Sequence, residues 1–234
     1  MIKQELNQRS PLRILEHSTH GGLGKGNLGM FAARQGVGKT ACLVHIATDQ
    51  LLQGKQVIHV SFASNPSHIV DWYENIFREI AGQFGLESVM AVHDEMIRHR
   101  IIMNFNQAGI RLPQVIGSLR SMIRDGHFAA DTVVVDAYDL AAVTAAELEQ
   151  VRGFAAEQGL EIWFSVSLGY EQPCYDAAGV PSLLKGVIDA FSIVICLKPE
   201  KKHVHLHLVK DHDADVPPDL LLELDPKTLL IAEQ

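Results

Sequence analysis

Residues 28–54 read as an apolar run, a tight two-glycine turn and a helix, and the turn is Ala33-Arg34-Gln35-Gly36-Val37-Gly38-Lys39-Thr40. Leu28-Gly29-Met30-Phe31-Ala32-Ala33 suits a buried strand. From Thr40 to Leu52, Leu43, Ile46, Ala47, Leu51 and Leu52 recur at helical spacing, ended by Gln53-Gly54. Gly36 and Gly38 can enter φ > 0 without a Cβ clash. Successive backbone N–H groups then converge beside a helix N-terminus, which makes an anion cradle. The turn fits the phosphate-loop pattern G-x-x-x-x-G-K-[ST], with Ala33 in place of the first glycine. In that pattern Lys39 puts a point charge on the β- and γ-phosphates, and Thr40 offers a hydroxyl to Mg²⁺. The spacing therefore predicts nucleotide contacts from Arg34, Gln35, Gly36, Val37, Gly38, Lys39, Thr40 and Ala41, with ATP or another nucleoside triphosphate and Mg²⁺ as ligands.

Apolar runs and helical periods alternate through the rest of the chain. Strands are expected at Val57–Phe62, Ile101–Phe105, Thr132–Asp136 and Ile162–Ser167, and near Ser192–Leu197, His203–Val209 and Leu220–Glu223. Asn65 caps a helix with Pro66 at its first position and an apolar face of Ile69, Val70, Trp72, Tyr73, Ile76, Phe77 and Ile80. Further helices run from Pro113 to about Arg124 and from Ala145 to Glu157. Central strands that are apolar throughout argue a parallel sheet covered on both faces. Residues 1–20 read as a polar, irregular N-terminal arm that packs on its own domain or on a neighbour, and residues 21–234 as one nucleotide-binding domain.

With 234 residues, 47% hydrophobic and 21% charged, the chain has enough apolar content for a substantial core. It shows no run long enough for a membrane span and no signal-peptide core. Cys42, Cys174 and Cys196 are too few and too widely spaced for a disulfide frame, so they read as reduced thiols of a cytoplasmic protein. The net charge of −8 argues against a constitutive nucleic-acid binder.

Asp136 closes the β-branched run Thr132-Val133-Val134-Val135. In an open α/β sheet, ligands bind at the carboxyl ends of the strands. There Asp136 would hold Mg²⁺ opposite Thr40.

Taken together, these segments resemble the core of a RecA-superfamily ATPase, closest to the branch of DnaB-type helicases and of KaiC- and RadA-like proteins. The residues that carry the resemblance are Gly22-Leu23 and Gly26-Asn27-Leu28 before the glycine turn, Val60-Ser61-Phe62, and Val133 to Leu140. The resemblance spans about Gly21 to Ile231. It implies a three-layer αβα sandwich with a mostly parallel central sheet and C-terminal antiparallel strands. It also implies assembly as a homo-oligomer or with a protein partner.

Three departures matter more than the matches. The family's catalytic glutamate follows the second strand, and Ala63 stands there, with no Asp or Glu before Asp71. Loss of such a base typically costs ~10²–10⁴ in rate. The sensing glutamine is replaced by Ser167. The late K-x-R element, which serves a neighbouring subunit's nucleotide, reads Lys210-Asp211-His212. The implied function is a binder of ATP and Mg²⁺ with weak or absent hydrolysis, acting as a regulatory or assembly module, with Asp71 or Glu74 as substitute carboxylates if the loop folds back. The alternatives are an active ATPase whose site a partner or oligomer completes, or a ParA/MinD-like ATPase, in which Arg34 takes the place of the signature lysine.

In the RecA-like motors, two loops grip DNA. Here residues 137–150 hold Asp139, Glu147 and Glu149 without a cation, and residues 168–186 hold Glu171 and Asp176 with only Lys185. Phosphate contacts dominate nonspecific DNA affinity, so these loops argue against a helicase or recombinase role. Arg98, Arg100, Arg111, Arg120 and Arg124 form the best basic cluster, read as a solvated or ion-paired surface. His203, His205 and His207 alternate along a strand, so they share one face. They read as that strand's polar side, with a metal site as the competing reading.

Overall fold

β-Branched and aromatic runs supply the strands of this chain, and segments bounded by glycine, proline or a capping polar residue supply its helices. The computed structural model describes residues 8, 10–63, 67–82, 86–106, 109–140, 143–169, 175, 180–216 and 220–233, the side chains of 86–88 excepted. In chain order the elements are α1 (Leu12–Ser18), β1 (Leu28–Ala33), α2 (Lys39–Leu52), β2 (Val57–Ser61), α3 (Ser67–Ala81), α4 (Leu86–Arg98) and β3 (Arg100–Asn104). Then come α5 (Leu112–Arg124), β4 (Thr132–Asp136), α6 (Ala145–Gln158), β5 (Glu161–Ser167), β6 (Ile193–Pro199), β7 (Val204–Asp211), β8 (Leu222–Leu224) and β9 (Ile231–Glu233).

All nine strands share one sheet, in the order β3-β2-β4-β5-β1-β6-β7-β8-β9. From β3 to β6 every pairing is parallel; β7, β8 and β9 then join antiparallel. The fold is therefore α/β, with a mostly parallel sheet and C-terminal antiparallel strands. One core packs α1, α2, α3 and α4 on one face, through residues such as Leu15, Leu43, Tyr73 and Val92. The other packs α5 and α6 on the opposite face through Leu119, Val151 and Phe154. Three layers result. Burial on both faces is why β1 is apolar along its length and why β2 and β4 are mostly apolar, with burial unbroken in each, His59, Ser61, Thr132 and Asp136 included. Gly29 in β1 has a specific reason: a Cβ there would run into the ring of Trp163 on β5, which stacks on Phe31 at 5.4 Å.

Several expectations need correction. Helix α2 is buried on every side from Ala41 to Leu52, polar His45, Thr48, Asp49 and Gln50 included, so it has no solvent face. The cover comes partly from the arm, which is not irregular. Its residues Leu12–Ser18 form α1, Leu12 and Leu15 enter the core, and Arg13 ion-pairs with buried Asp49 and with Glu16. The rest comes from the C-terminus, where the Ile231 backbone N–H donates to His45 Nδ1 at 3.0 Å. Val70 is 41% exposed and leaves the apolar face assigned to it. Helix α4 and strand β9 are additions to the sequence reading. The cap at Asn65 and Pro66, Cys174, Glu171 and Asp176 lie outside the described residues. No described helix is long and apolar enough to cross a membrane.

Candidate functional site

Strands β1 and β4 end at the same edge of the sheet, with β5 between them. Alternation sends Val133 and Val135 into the α5/α6 core and Val134 into the α2 core. Asp136, two residues beyond Val134, therefore emerges on the side of α2. Helix α2 starts at Lys39, straight after Gly38 at φ +110°. Its first turn puts Thr40 Oγ1 within 3.1 and 3.0 Å of Asp136 Oδ1 and Oδ2.

The lysine beside it folds back across the glycine turn. Lys39 Nζ donates to the carbonyls of Ala33 (3.1 Å) and Arg34 (2.9 Å). Burial pushes the Lys39 pKa down, and Asp136 opposes the shift. Burial likewise pushes the Asp136 pKa up, while hydrogen bonds from Ser165 and Thr40 and the Lys39 charge work to keep the carboxylate ionised.

Around these groups lies a cleft of about 1120 Å³. Gln35, Gly36, Val37, Gly38, Lys39 and Thr40 form its floor, and Asp136 to Leu140 with Ser165 to Ser167 form one side. Pro199, Val204, Leu224, Pro226 and Leu229 make an apolar wall on the other side. Volume and lining suit a small-molecule site with few polar groups.

The spacing of the Thr40 and Asp136 oxygens can be set against the metal expectation. Mg²⁺ binds oxygens at about 2.0–2.1 Å in octahedral geometry, which sets adjacent ligands roughly 2.9 Å apart. Thr40 Oγ1 and Asp136 Oδ2 are 3.0 Å apart, so the pair fits two neighbouring positions of that shell. A Mg²⁺ held there would take its remaining ligands from outside the protein, as Mg²⁺ prefers few protein ligands.

Gly38 is tightly constrained. A Cβ on it would overlap Leu224 Cδ2 of β8, and its φ is left-handed. Gly38→Ala is expected to cost about 2–4 kcal/mol, from backbone strain of 1–3 kcal/mol plus displaced packing. Chemical denaturation checks this; an unchanged unfolding midpoint would show that Leu224 yields freely.

Not every expected residue reaches the cleft. Arg34 does not line it, its carbonyl accepting from Lys39, and Ala41 is fully buried. Ser167, at the exposed end of β5, lines it. Lys210 and His212 do not. Because β7 runs antiparallel, Lys210 pairs with Val194, level with Met30 of β1, roughly 13 Å of strand from the glycine turn. Its ammonium meets the carbonyls of Ile188 and Asp189 at 3.3 and 3.4 Å. His212 Nδ1 lies 2.8 Å from buried Asp211, and its Nε2 3.2 Å from the Leu23 carbonyl. Neither can serve this chain's own cleft.

Ala63 follows β2 with its N–H on Ser61 Oγ at 3.1 Å, and it does not line the cleft. Of the substitute carboxylates, Glu74 is held by His93 Nε2 at 2.8 Å, and neither it nor Asp71 lines the cleft. Trp72, between them in sequence, does. The cleft-lining carboxylates among the described residues are Asp136 and Asp139.

The other clusters resolve into surface contacts. Arg111 makes a two-pronged pair with Glu147 at 3.0 and 2.9 Å, which holds that carboxyl's pKa down to about 2. Arg120 pairs with Glu157 and Arg124 with Asp125, while Arg100 lies 4.1 Å above the Tyr73 ring. His203 precedes β7 and sits 3.3 Å from both Glu200 and Glu223. Among the described residues, no group of three or more His, Cys, Asp or Glu is placed to hold a metal ion.

Sequence reading missed Ser165. Its signal was a lone polar residue inside Ile162-Trp163-Phe164-Ser165-Val166, on the same strand face as Ser167. No protein-family model matches this chain, and no curated protein matches it.

Proposed function

We propose that this chain binds a nucleoside triphosphate with Mg²⁺ in the cleft at the ends of β1 and β4, with weak or absent hydrolysis, and works as a nucleotide-dependent regulatory or assembly module. The observation that carries the reading is the convergence of Lys39, Thr40 and Asp136 on a left-handed glycine turn at a helix N-terminus. Turn amides and Lys39 would take the phosphates, Thr40 and Asp136 would hold the metal, and the apolar wall would take the base. Bound Mg²⁺ would neutralise phosphate charge. The RecA-like resemblance supports the same arrangement, and the sheet order is compatible with it.

Weak hydrolysis follows from what faces the cleft. The position of the family's water-activating glutamate is a methyl group, and the nearest downstream carboxylates are turned away or paired. Asp139 favours a second reading, an active ATPase, because it is a carboxylate that lines the cleft.

Calorimetry with ATP, ADP and GTP plus Mg²⁺, beside a phosphate-release assay, tests both readings. The expected result is micromolar binding with turnover far below ~10 s⁻¹, a typical enzyme rate. Turnover near that rate, abolished by Asp139→Asn, would establish the second reading instead. Absence of binding would overturn both.

A further inference from the structure

We infer that Ser165 is a positioning residue for the metal side of the cleft: its hydroxyl engages one Asp136 oxygen and so leaves the other for the Mg²⁺ of a bound nucleotide. The inference rests on the Mg²⁺·nucleotide reading and deepens it.

Register puts Ser165 beside Asp136. Strand β5 pairs with β4 from Thr132↔Glu161 to Val135↔Phe164, and the next step along both strands brings residues 136 and 165 together. Ser165 is 2% exposed, between Phe164 and Val166, which face the other core. A hydroxyl there needs partners, since an unbonded buried one is costly. It has two: Ser165 Oγ donates to Asp136 Oδ1 at 2.6 Å and accepts from the Ala137 N–H at 2.9 Å.

These two bonds leave no choice of direction. A backbone N–H can only donate, so the single Ser165 proton goes to the carboxylate. Charge-assisted bonds of that length are the strong ones. Oδ1 thus carries the short Ser165 bond besides its 3.1 Å contact with Thr40, and Oδ2, which Ser165 does not engage, is the freer oxygen for a cation. The same hydroxyl holds Ala137 at φ +62°, a left-handed conformation that alanine rarely adopts. Ser165 therefore fixes both the carboxylate plane and the backbone that leaves the strand behind it. Thr40 could satisfy Asp136 without it, but would not select one oxygen, being nearly equidistant from both.

The test uses the full chain as wild type, Ser165→Ala, the near-isosteric weak donor Ser165→Cys, and Ser165→Thr. ATP affinity is measured by calorimetry in Mg²⁺ and in EDTA. In wild type, Mg²⁺ should tighten ATP binding. In Ser165→Ala and Ser165→Cys, affinity in EDTA should stay within about twofold, while the Mg²⁺-dependent gain falls about tenfold; Ser165→Thr should restore it. An equal fall with and without Mg²⁺, or an unchanged Mg²⁺ gain in either folded variant, overturns the role of Ser165 and leaves nucleotide binding standing. Wild type that binds no ATP, or binds it without Mg²⁺ dependence, overturns the underlying reading, and the role of Ser165 falls with it.

Discussion

Lys39→Ala is expected to weaken Mg²⁺·ATP binding by about 10²–10³-fold while leaving the protein folded. Lys39 is the only Lys, Arg or His among the described residues lining the cleft, so its loss would leave a bound phosphate with no cationic side chain. Truncating one partner of a desolvated charge pair costs roughly 2–5 kcal/mol, and each 1.4 kcal/mol is tenfold in affinity. The fold should survive because Nζ meets only the Ala33 and Arg34 carbonyls, which water can take over. Calorimetry beside a thermal melt separates the two effects. Micromolar affinity in the folded variant would show that phosphates bind elsewhere.

Acid should unfold the protein steeply below pH 6. Burial pushes the His45 pKa down to about 4, and burial with the nearby Arg100 charge pushes His59 down to about 3. Both are neutral in the folded state at neutral pH, whereas an unfolded histidine titrates near 6.5. Their contribution to stability is therefore complete above about pH 6.5 and falls as pH drops toward 4, because the unfolded chain takes up two protons that the folded chain refuses. The slope approaches roughly 3 kcal/mol per pH unit between the unfolded and folded values, so several kcal/mol, on the order of 5, is lost by pH 4. That is comparable to the total stability of many domains.

Each histidine has a structural reason for neutrality. His45 Nδ1 accepts from the Ile231 N–H, and protonating it would break the contact between α2 and β9. His59 Nδ1 lies 3.1 Å from the Tyr73 hydroxyl, and its Nε2 has no partner. Denaturation between pH 4 and 7 gives the slope. Replacing His45 by Gln, which keeps an acceptor but cannot titrate, should remove about half of it. A flat stability profile across that range would refute the assignment.

The unit β1–turn–α2 and the strand β4 were legible because their signals are local: two glycines before Lys-Thr, and four β-branched residues before an Asp. Helix α4 was harder to read. Its inward residues Val89, Val92 and Met96 have helical spacing, but they are interleaved with charged and exposed positions and reach burial only against neighbouring helices. Helix α1 is one short segment whose order depends on Asp49, thirty-six residues from Arg13. Periodicity could not show either tertiary dependence. At the site, Lys39, Thr40 and Asp136 announce themselves by motif. Ser165 gains its place only through register with β4, and the antiparallel sense of β7 carries Lys210 and His212 away from this chain's own cleft.

The two tryptophans sit in opposite circumstances. Trp163 is sealed in the core against Phe31, while Trp72 is half-buried on the cleft wall. Intrinsic emission therefore divides into a constant background and a component exposed to whatever enters beside Lys39. Ligand titrations can be followed by quenching on the unlabelled protein, and Trp72→Phe would silence the optical signal without removing the phosphate-binding groups.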